Sequence, residues 1–215
     1  LKAHYPAFFL SSLLTSVVGN ETKVAQYIRE AKLYDIEILP PSINTSQFVF
    51  TVEGKNRIRY SLGAIKGIGA AALKEIIRAR KEKPFQDLFD FCMRVSSKTI
   101  NRKILENLVL SGAFDEFEMD RATLLASLDV AAQHAELVNP EGDHDLFHEE
   151  EAFLLKPKHV EVEDMTIDTK LQFEKQVLGL YLSDHPVSSY RPLYDDLGLQ
   201  QIADLQKGSK ITFGG

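Results

Sequence analysis

The stretch Ile65–Ile77, IKGIGAAALKEII, carries the most information about the fold of this chain. It places the turn Gly67-Ile68-Gly69 between a short helical segment and a run with apolar residues at helical spacing. Glycines permit a tight turn because no Cβ obstructs it, and the first amides of the following helix have no partner within that helix. Amides in this position bind phosphate. We therefore expect an exposed phosphate-binding turn, with Ile68 inserted into the core.

This pattern is that of a helix-hairpin-helix, and we expect it to bind the backbone of DNA. Lysines flank the turn on both sides. Because lysines and backbone amides contact phosphate only, binding would not depend on base sequence. The predicted DNA-binding residues are Lys66, Gly67, Ile68, Gly69, Ala70 and Lys74. The alternative is that the two glycines merely join two helices, since short Gly-x-Gly turns are common.

The distribution of charge favours the DNA-binding interpretation. The formal net charge of the 215 residues is −6, but residues 116–168 alone carry 15 acidic groups against three basic ones. Residues 55–103, which include the glycine turn, hold 13 lysines and arginines against four acidic residues, a balance of +9. Arg78, Arg80 and Lys81 continue this positive field beyond the turn. A field of that size can neutralise several phosphates.

A second, incomplete copy of the turn follows at Gly112, at the end of the helical pattern ENLVLSGAF (106–114). Ala113 and Phe114 stand behind the glycine, but there is no second glycine. We therefore expect a structural role for this turn.

The rest of the chain predicts a mostly α fold with a small β-hairpin. Residues 36–44 should be extended, and residues 48–62 should form the hairpin, the only clear β element. The expected helices begin after Pro6, at the N-cap Asn20, at Ala70, at the N-cap Ser97, at Asp120 with a course through Ala135, and at Asp168 or Thr169 with a stop at Pro186.

Composition limits the classes of protein that fit. No apolar run approaches the roughly 20 residues of a membrane-spanning helix, and the first residues lack the features of a signal peptide. We expect neither export nor membrane insertion, and therefore a cytoplasmic location. The single cysteine, Cys92, lies in the apolar run LFDFCMRV and predicts a buried, inert thiol.

Residues 138–168 lose all periodicity and combine ten acidic residues with two lysines, which predicts a mobile acidic linker. Asp143, His144, Asp145 and His148 are metal-ligand types, but catalytic metal sites need rigid carboxylates. We favour a solvated linker. The adjacent pair Leu146 and Phe147 predicts a short docking motif, with packing onto the parent domain as the alternative.

Three strings resemble the bacterial DNA polymerase III alpha subunit family. They are LKAHYPAFF (1–9), IRYSLGAIKGIG (58–69) and LQFEKQVLGLYLSDHPVSSY (171–190), and they occur in that family's order at similar intervals. With LFDFCMRV (88–95) and LVLSGAFD (108–115), the resemblance covers nearly the whole chain. Because the chain begins without methionine and stops inside an apparent strand, KITFGG, we expect a fragment of the longer polymerase.

The resemblance implies four parts. Residues 1–45 would be a helical remnant of the fingers domain, residues 46–137 the helix-hairpin-helix DNA-binding domain, residues 138–168 an acidic linker with a clamp-binding motif, and residues 169–215 a helical connection to an OB-fold. The family's catalytic aspartates lie upstream, so no catalytic, metal-binding or cofactor-binding residue is assigned here. Magnesium would serve the whole polymerase.

The resemblance also implies partners: duplex DNA, the sliding clamp and other replisome subunits, with no membrane. Asp143 to Phe147, DHDLF, matches the position of the family's internal clamp motif. Asp143 stands where that motif usually has glutamine, whereas Asp145, Leu146 and Phe147 fit it. The competing functions are a protein-interaction module and a DNA repair enzyme such as a ligase or nuclease. A single cysteine and the lack of a nucleotidyl-transfer motif disfavour a ligase.

Overall fold

A computed structural model describes residues 5–138 and 156–183 and confirms a mostly α fold with a small sheet. Its helices are α1 (Pro6–Ser16), α2 (Glu21–Leu33), α3 (Ala70–Arg80), α4 (Leu88–Arg94), α5 (Arg102–Leu110), α6 (Arg121–Ala126), α7 (Leu128–Val138) and α8 (Ile167–Leu178). Its strands are β1 (Glu37–Leu39), β2 (Thr51–Val52) and β3 (Arg57–Arg59), and 3-10 turns span Leu62–Ala64 and Asp115–Phe117. Within these residues, no helix has the length and apolar character that crossing a membrane requires.

Helices α1 and α2 form as the sequence predicts. Pro6 occupies the first turn of α1, where its missing N–H costs no hydrogen bond. The Asn20 side chain caps α2 by accepting a hydrogen bond from the Lys23 amide at 3.1 Å. The buried stripes of the two helices, which include Leu10 and Ile28, face a common core.

The sheet contains the predicted hairpin and one further strand. Strand β3 lies between β2, which is antiparallel to it, and β1, which is parallel to it. The predicted hairpin was therefore not the only β element, because part of the extended stretch pairs with β3. Ile58, in the middle of β3, is fully buried.

Some helix boundaries differ from those predicted. Ser97 is not an N-cap, because residues 97–99 form a turn that closes from the Ile100 amide to the Ser96 carbonyl at 2.8 Å. Asn101 caps α5 instead, accepting from the Ile104 amide at 3.0 Å.

The single cysteine, Cys92, lies in α4, just before this turn. Cys92 is half-buried rather than fully buried as predicted, and desolvation raises the pKa of its thiol to about 12, which keeps it protonated.

Two further predictions need correction. Asp120 caps α6, as predicted, but the helix is interrupted at Ser127, and α7 continues as a separate helix. Helix α8 begins after the N-cap Thr166 and ends at Leu178, with Gly179 as a C-cap in the left-handed conformation. Gly179 therefore stops the helix before the chain reaches Pro186.

Residues 156–166, in the predicted mobile linker, form no helix or strand but contact the helices. The Val160 amide donates to Ser127 Oγ at 2.8 Å, and the Met165 amide donates to Asp120 Oδ1 at 2.9 Å. Lys156 forms an ion pair with Asp87, the N-cap of α4. These contacts tether residues 156–166 to the helices, and the mobility of the linker stays a prediction. The division of the chain into four parts stays a prediction.

A buried ion-pair network holds α8 against the other helices. Arg121 Nη1 lies 3.1 Å from Glu174 Oε1, and its Nη2 lies 2.6 Å from Asp115 Oδ2. Glu174 also accepts hydrogen bonds from the amides of Leu182 and Ser183, both at 2.9 Å. Buried charges are tolerated when they are paired and hydrogen-bonded in this way. The network thereby determines where the end of α8 lies.

Candidate nucleic-acid interface

The glycine turn joins the 3-10 turn at Leu62–Ala64 to α3 and exposes one side to solvent. Ile65 and Ile68 are buried in the core, so the predicted insertion of Ile68 is confirmed. The other residues of the predicted site are exposed and follow one another along the turn and the first helical turns of α3: Lys66, Gly67, Gly69, Ala70 and Lys74. The structure therefore brings these residues together on one surface.

The two glycines of the turn differ in what the fold requires of them. Gly67 has a φ of +80°, and a Cβ at this position would lie 2.8 Å from Asn107 Nδ2. Gly69 has a φ of −85° and a ψ of 170°, which any residue adopts, and a Cβ there would meet nothing within 4 Å. The fold therefore requires glycine at position 67 but not at position 69.

Two distant parts of the chain hold the main chain of Lys66. Its N–H donates to the Val177 carbonyl of α8 at 2.9 Å, and its carbonyl accepts from Asn107 Nδ2 of α5 at 2.7 Å. Beside this contact, the Tyr60 hydroxyl donates to the Leu178 carbonyl at 3.2 Å. Asn107 and Val177 could not be identified from the sequence, because neither spacing nor residue type indicates a contact over such distances in the chain.

The amides at the start of α3 are available to a ligand. Gly69 is the N-cap, and no side chain caps the helix. The amides of Gly69, Ala70 and Ala71 donate no backbone hydrogen bond to any residue in the ranges 5–138 and 156–183. The helix dipole adds partial positive charge at this end. Uncapped amides at a helix N-terminus favour an anion.

Lysine side chains stand on both sides of these amides. The Lys66 side chain is 64% exposed, and its Nζ lies 3.8 Å from a Glu21 carboxylate oxygen. An exposed ion pair at that distance is weak, so Lys66 stays available to phosphate. Lys74 is exposed about one helical turn further along α3.

Several arginines of the predicted positive field form contacts within the fold instead of remaining available to a ligand. Arg80 is half-buried and donates to the Ile43 carbonyl at 2.8 Å, and burial lowers the pKa of its guanidinium. The Arg94 side chain is turned inward onto several backbone carbonyls. Arg78 forms an ion pair with Glu75 at 2.9 Å. Fewer cations of residues 55–103 can therefore contact a phosphate directly than the charge balance suggests, and the Arg80 guanidinium, although charged, is held by the fold.

The second turn, at Gly112, has no comparable free surface. Its amides are used internally: Gly112 donates to Val109 at 3.0 Å, and Ala113 donates to Leu108 at 3.1 Å. A Cβ at Gly112 would lie 2.5 Å from Arg121 Nη2, so the buried ion pair occupies the space beside the turn. The structural role expected from the missing second glycine agrees with these contacts.

The predicted clamp-binding residues Asp143, Asp145, Leu146 and Phe147 lie outside the described residues, as do His144 and His148. Among the residues that the structure describes, no three His, Cys, Asp or Glu side chains are grouped as a metal ion would require.

Similar known proteins show which class of protein this chain resembles. The helix-hairpin-helix motif family matches residues 35–124, which contain the glycine turn. The chain is 54% identical to the DNA polymerase III subunit alpha of Bacillus subtilis over 98% of its length, 38% identical to that of Pseudomonas fluorescens over 96%, and 34% identical to that of Vibrio cholerae over 100%.

The chain thus corresponds to one segment of bacterial DNA polymerase III alpha subunits, and the resemblance inferred from its sequence is confirmed. It spans 19% of the length of each of these three relatives.

Urea unfolding can measure how much the stability of the fold depends on glycine at position 67 and at position 69. Gly67→Ala should lower the free energy of unfolding by about 1–2 kcal/mol or more, because alanine is strained in the left-handed region and its Cβ meets Asn107. Gly69→Ala should cost less, about 0.5 kcal/mol, because its conformation is ordinary and the space is open, so only the poorer N-cap propensity of alanine is lost. Equal losses at the two positions would contradict this assignment.

Proposed function

We propose that this chain is the duplex-binding part of a bacterial replicative DNA polymerase, and that the turn around Gly67 holds the DNA backbone. The observation that carries the proposal is the uncapped, exposed start of α3 between two exposed lysines. The names of the relatives support it. The whole protein would be a magnesium-dependent, DNA-directed DNA polymerase of the cytoplasm, in which this segment binds DNA and does no catalysis.

Gly69 favours a ligand-binding turn over a plain connection between two helices. Neither the backbone angles nor the space beside Gly69 requires glycine, and serine, asparagine or aspartate would cap α3 at least as well, so another reason for the missing side chain is needed. Close approach of a phosphate to the amides of Gly69 and Ala70 supplies that reason, since a Cβ would stand in its path.

The chemistry of the surface defines the class of ligand. The groups at the turn are amide donors and lysines, and both recognise phosphate without reading bases. Binding should therefore be independent of DNA sequence and should weaken as salt rises. Relatives named DNA polymerase III subunit alpha favour this role over an interaction module of a DNA repair enzyme.

We further propose that Asp143–Phe147 binds the sliding clamp as an extended peptide, and that other replisome subunits are partners of the whole protein. The support for the clamp contact comes from the amino-acid sequence. Leu146 and Phe147 are adjacent large apolar residues within an acidic segment, and the string resembles a clamp motif by position. Burying each side chain contributes roughly 1.5–3 kcal/mol, but ordering the segment offsets part of that, so the isolated affinity should be modest.

The role of Lys66 in duplex binding can be measured by fluorescence anisotropy over a range of salt concentrations. Lys66→Ala should weaken binding to unrelated duplexes alike and should lower the salt slope by about one unit, because one phosphate contact is lost. Lys158→Ala is the matched control, since Lys158 is also exposed but lies in the acidic segment. Identical salt slopes for the two variants would remove Lys66 from the interface.

The clamp contact can be measured by calorimetry with the sliding clamp of the same organism. Phe147→Ala should weaken binding by about tenfold or more. Asp143→Gln should strengthen it, because an amide can donate hydrogen bonds that a carboxylate cannot. Phe153→Ala, in the same acidic segment, serves as control. Unchanged affinity after replacing both Leu146 and Phe147 by alanine would place the clamp contact elsewhere.

A further inference from the structure

The peptide between Lys66 and Gly67 is oriented by a side chain from another helix. Asn107, on α5, is only 5% exposed, and its Nδ2 donates to the Lys66 carbonyl at 2.7 Å. The apolar residues around Asn107 on α5, such as Leu105 and Leu108, are buried in the core. A buried amide among apolar side chains needs a hydrogen-bond partner, and the Lys66 carbonyl supplies it.

This hydrogen bond has a consequence on the opposite side of the peptide. The carbonyl and the N–H of a trans peptide point in opposite directions. Because the Lys66 carbonyl points inward at Asn107, the N–H of Gly67 points away from α5, and Gly67 is exposed. Among the residues that the structure describes, the Gly67 amide donates no backbone hydrogen bond. The Gly67 N–H therefore joins the amides of Gly69, Ala70 and Ala71 as a donor to solvent.

Loss of the Asn107 donor would release this orientation. Glycine tolerates both positive and negative φ, so the peptide before Gly67 can rotate at little steric cost. Without Asn107, the Lys66 carbonyl would be buried without its donor, and rotation of the peptide would relieve that cost. Rotation would also turn the Gly67 N–H away from solvent. The N–H of Lys66 is held separately by Val177, so the second anchor would remain.

We propose that Asn107 is a positioning residue for DNA binding: by holding the Lys66 carbonyl, it aims the Gly67 N–H at a backbone phosphate. This inference rests on the proposed function of the turn and adds Gly67 to its phosphate donors. Asn107 itself does not touch the DNA.

The first test uses the full 215-residue chain and a short duplex. Asn107→Leu removes the donor at similar volume, and Asn107→Asp replaces the donor by a carboxylate oxygen. Both variants should bind the duplex about tenfold more weakly, the loss expected for one charge-assisted hydrogen bond. The salt slope of Asn107→Leu should stay at the wild-type value because no charge is changed, in contrast to Lys66→Ala; Asn107→Asp adds a negative charge, so only its loss of affinity is compared. Wild-type affinity in a folded Asn107→Leu variant would overturn the proposal.

The control for stability is Val109→Ala, which removes buried methyl groups two residues further along α5 without touching the turn. It should be destabilised but should bind the duplex as the wild type does. A loss of affinity in Val109→Ala equal to that in Asn107→Leu would show that α5 acts only through general stability, and would overturn the positioning role.

A second measurement needs neither a variant nor DNA. Amide hydrogen exchange of the wild-type chain, followed by NMR, should show a protected Lys66 amide and a rapidly exchanging Gly67 amide. A protected Gly67 amide would overturn the proposed orientation. Failure of the wild-type chain to bind any duplex at low salt would instead overturn the proposed function, while the exchange measurement would still decide the orientation of the peptide.

Discussion

The position of the Lys66 main chain is the constraint on which the candidate interface depends. Its carbonyl is held by Asn107 from α5 and its N–H by Val177 from α8, so the turn lies between two helices that are distant in sequence. Gly67 is required because its Cβ would collide with Asn107. With this peptide fixed and Ile68 buried, the amides that follow face solvent together.

The anchoring of α8 connects this surface to a buried charge network. Glu174 pairs with Arg121 on α6, and Arg121 also pairs with Asp115. Removing one partner of a buried pair commonly costs about 3–5 kcal/mol, so a change that separates α8 from α6 would be costly. The carbonyl of Val177, which holds Lys66, is placed three residues beyond Glu174. The glycine turn is therefore held by one residue that precedes the acidic segment in sequence, Asn107, and by one that follows it, Val177.

Sequence patterns predicted the structural features that depend only on residues close together in the chain. The caps at Asn20 and Asp120 and the burial of Ile68 follow from local spacing, and the structure confirms them. Contacts between distant residues could not be predicted in this way. Asn107 is one polar residue within a helical pattern, and nothing local shows that it faces a backbone carbonyl. The same holds for Arg80, whose inward orientation depends on the carbonyl of Ile43.

Mapping the amides that respond to DNA tests the account most directly. A duplex of arbitrary sequence would be added to the isotope-labelled full chain at low salt, and backbone amide shifts would be recorded by NMR. The account predicts the largest changes at Gly67 and at residues 69–71, unaltered when the duplex sequence is changed. Changes centred instead on the exposed basic residues of the β2–β3 hairpin, Lys55 in its turn and Arg57 in β3, with the glycine turn unaffected, would contradict it.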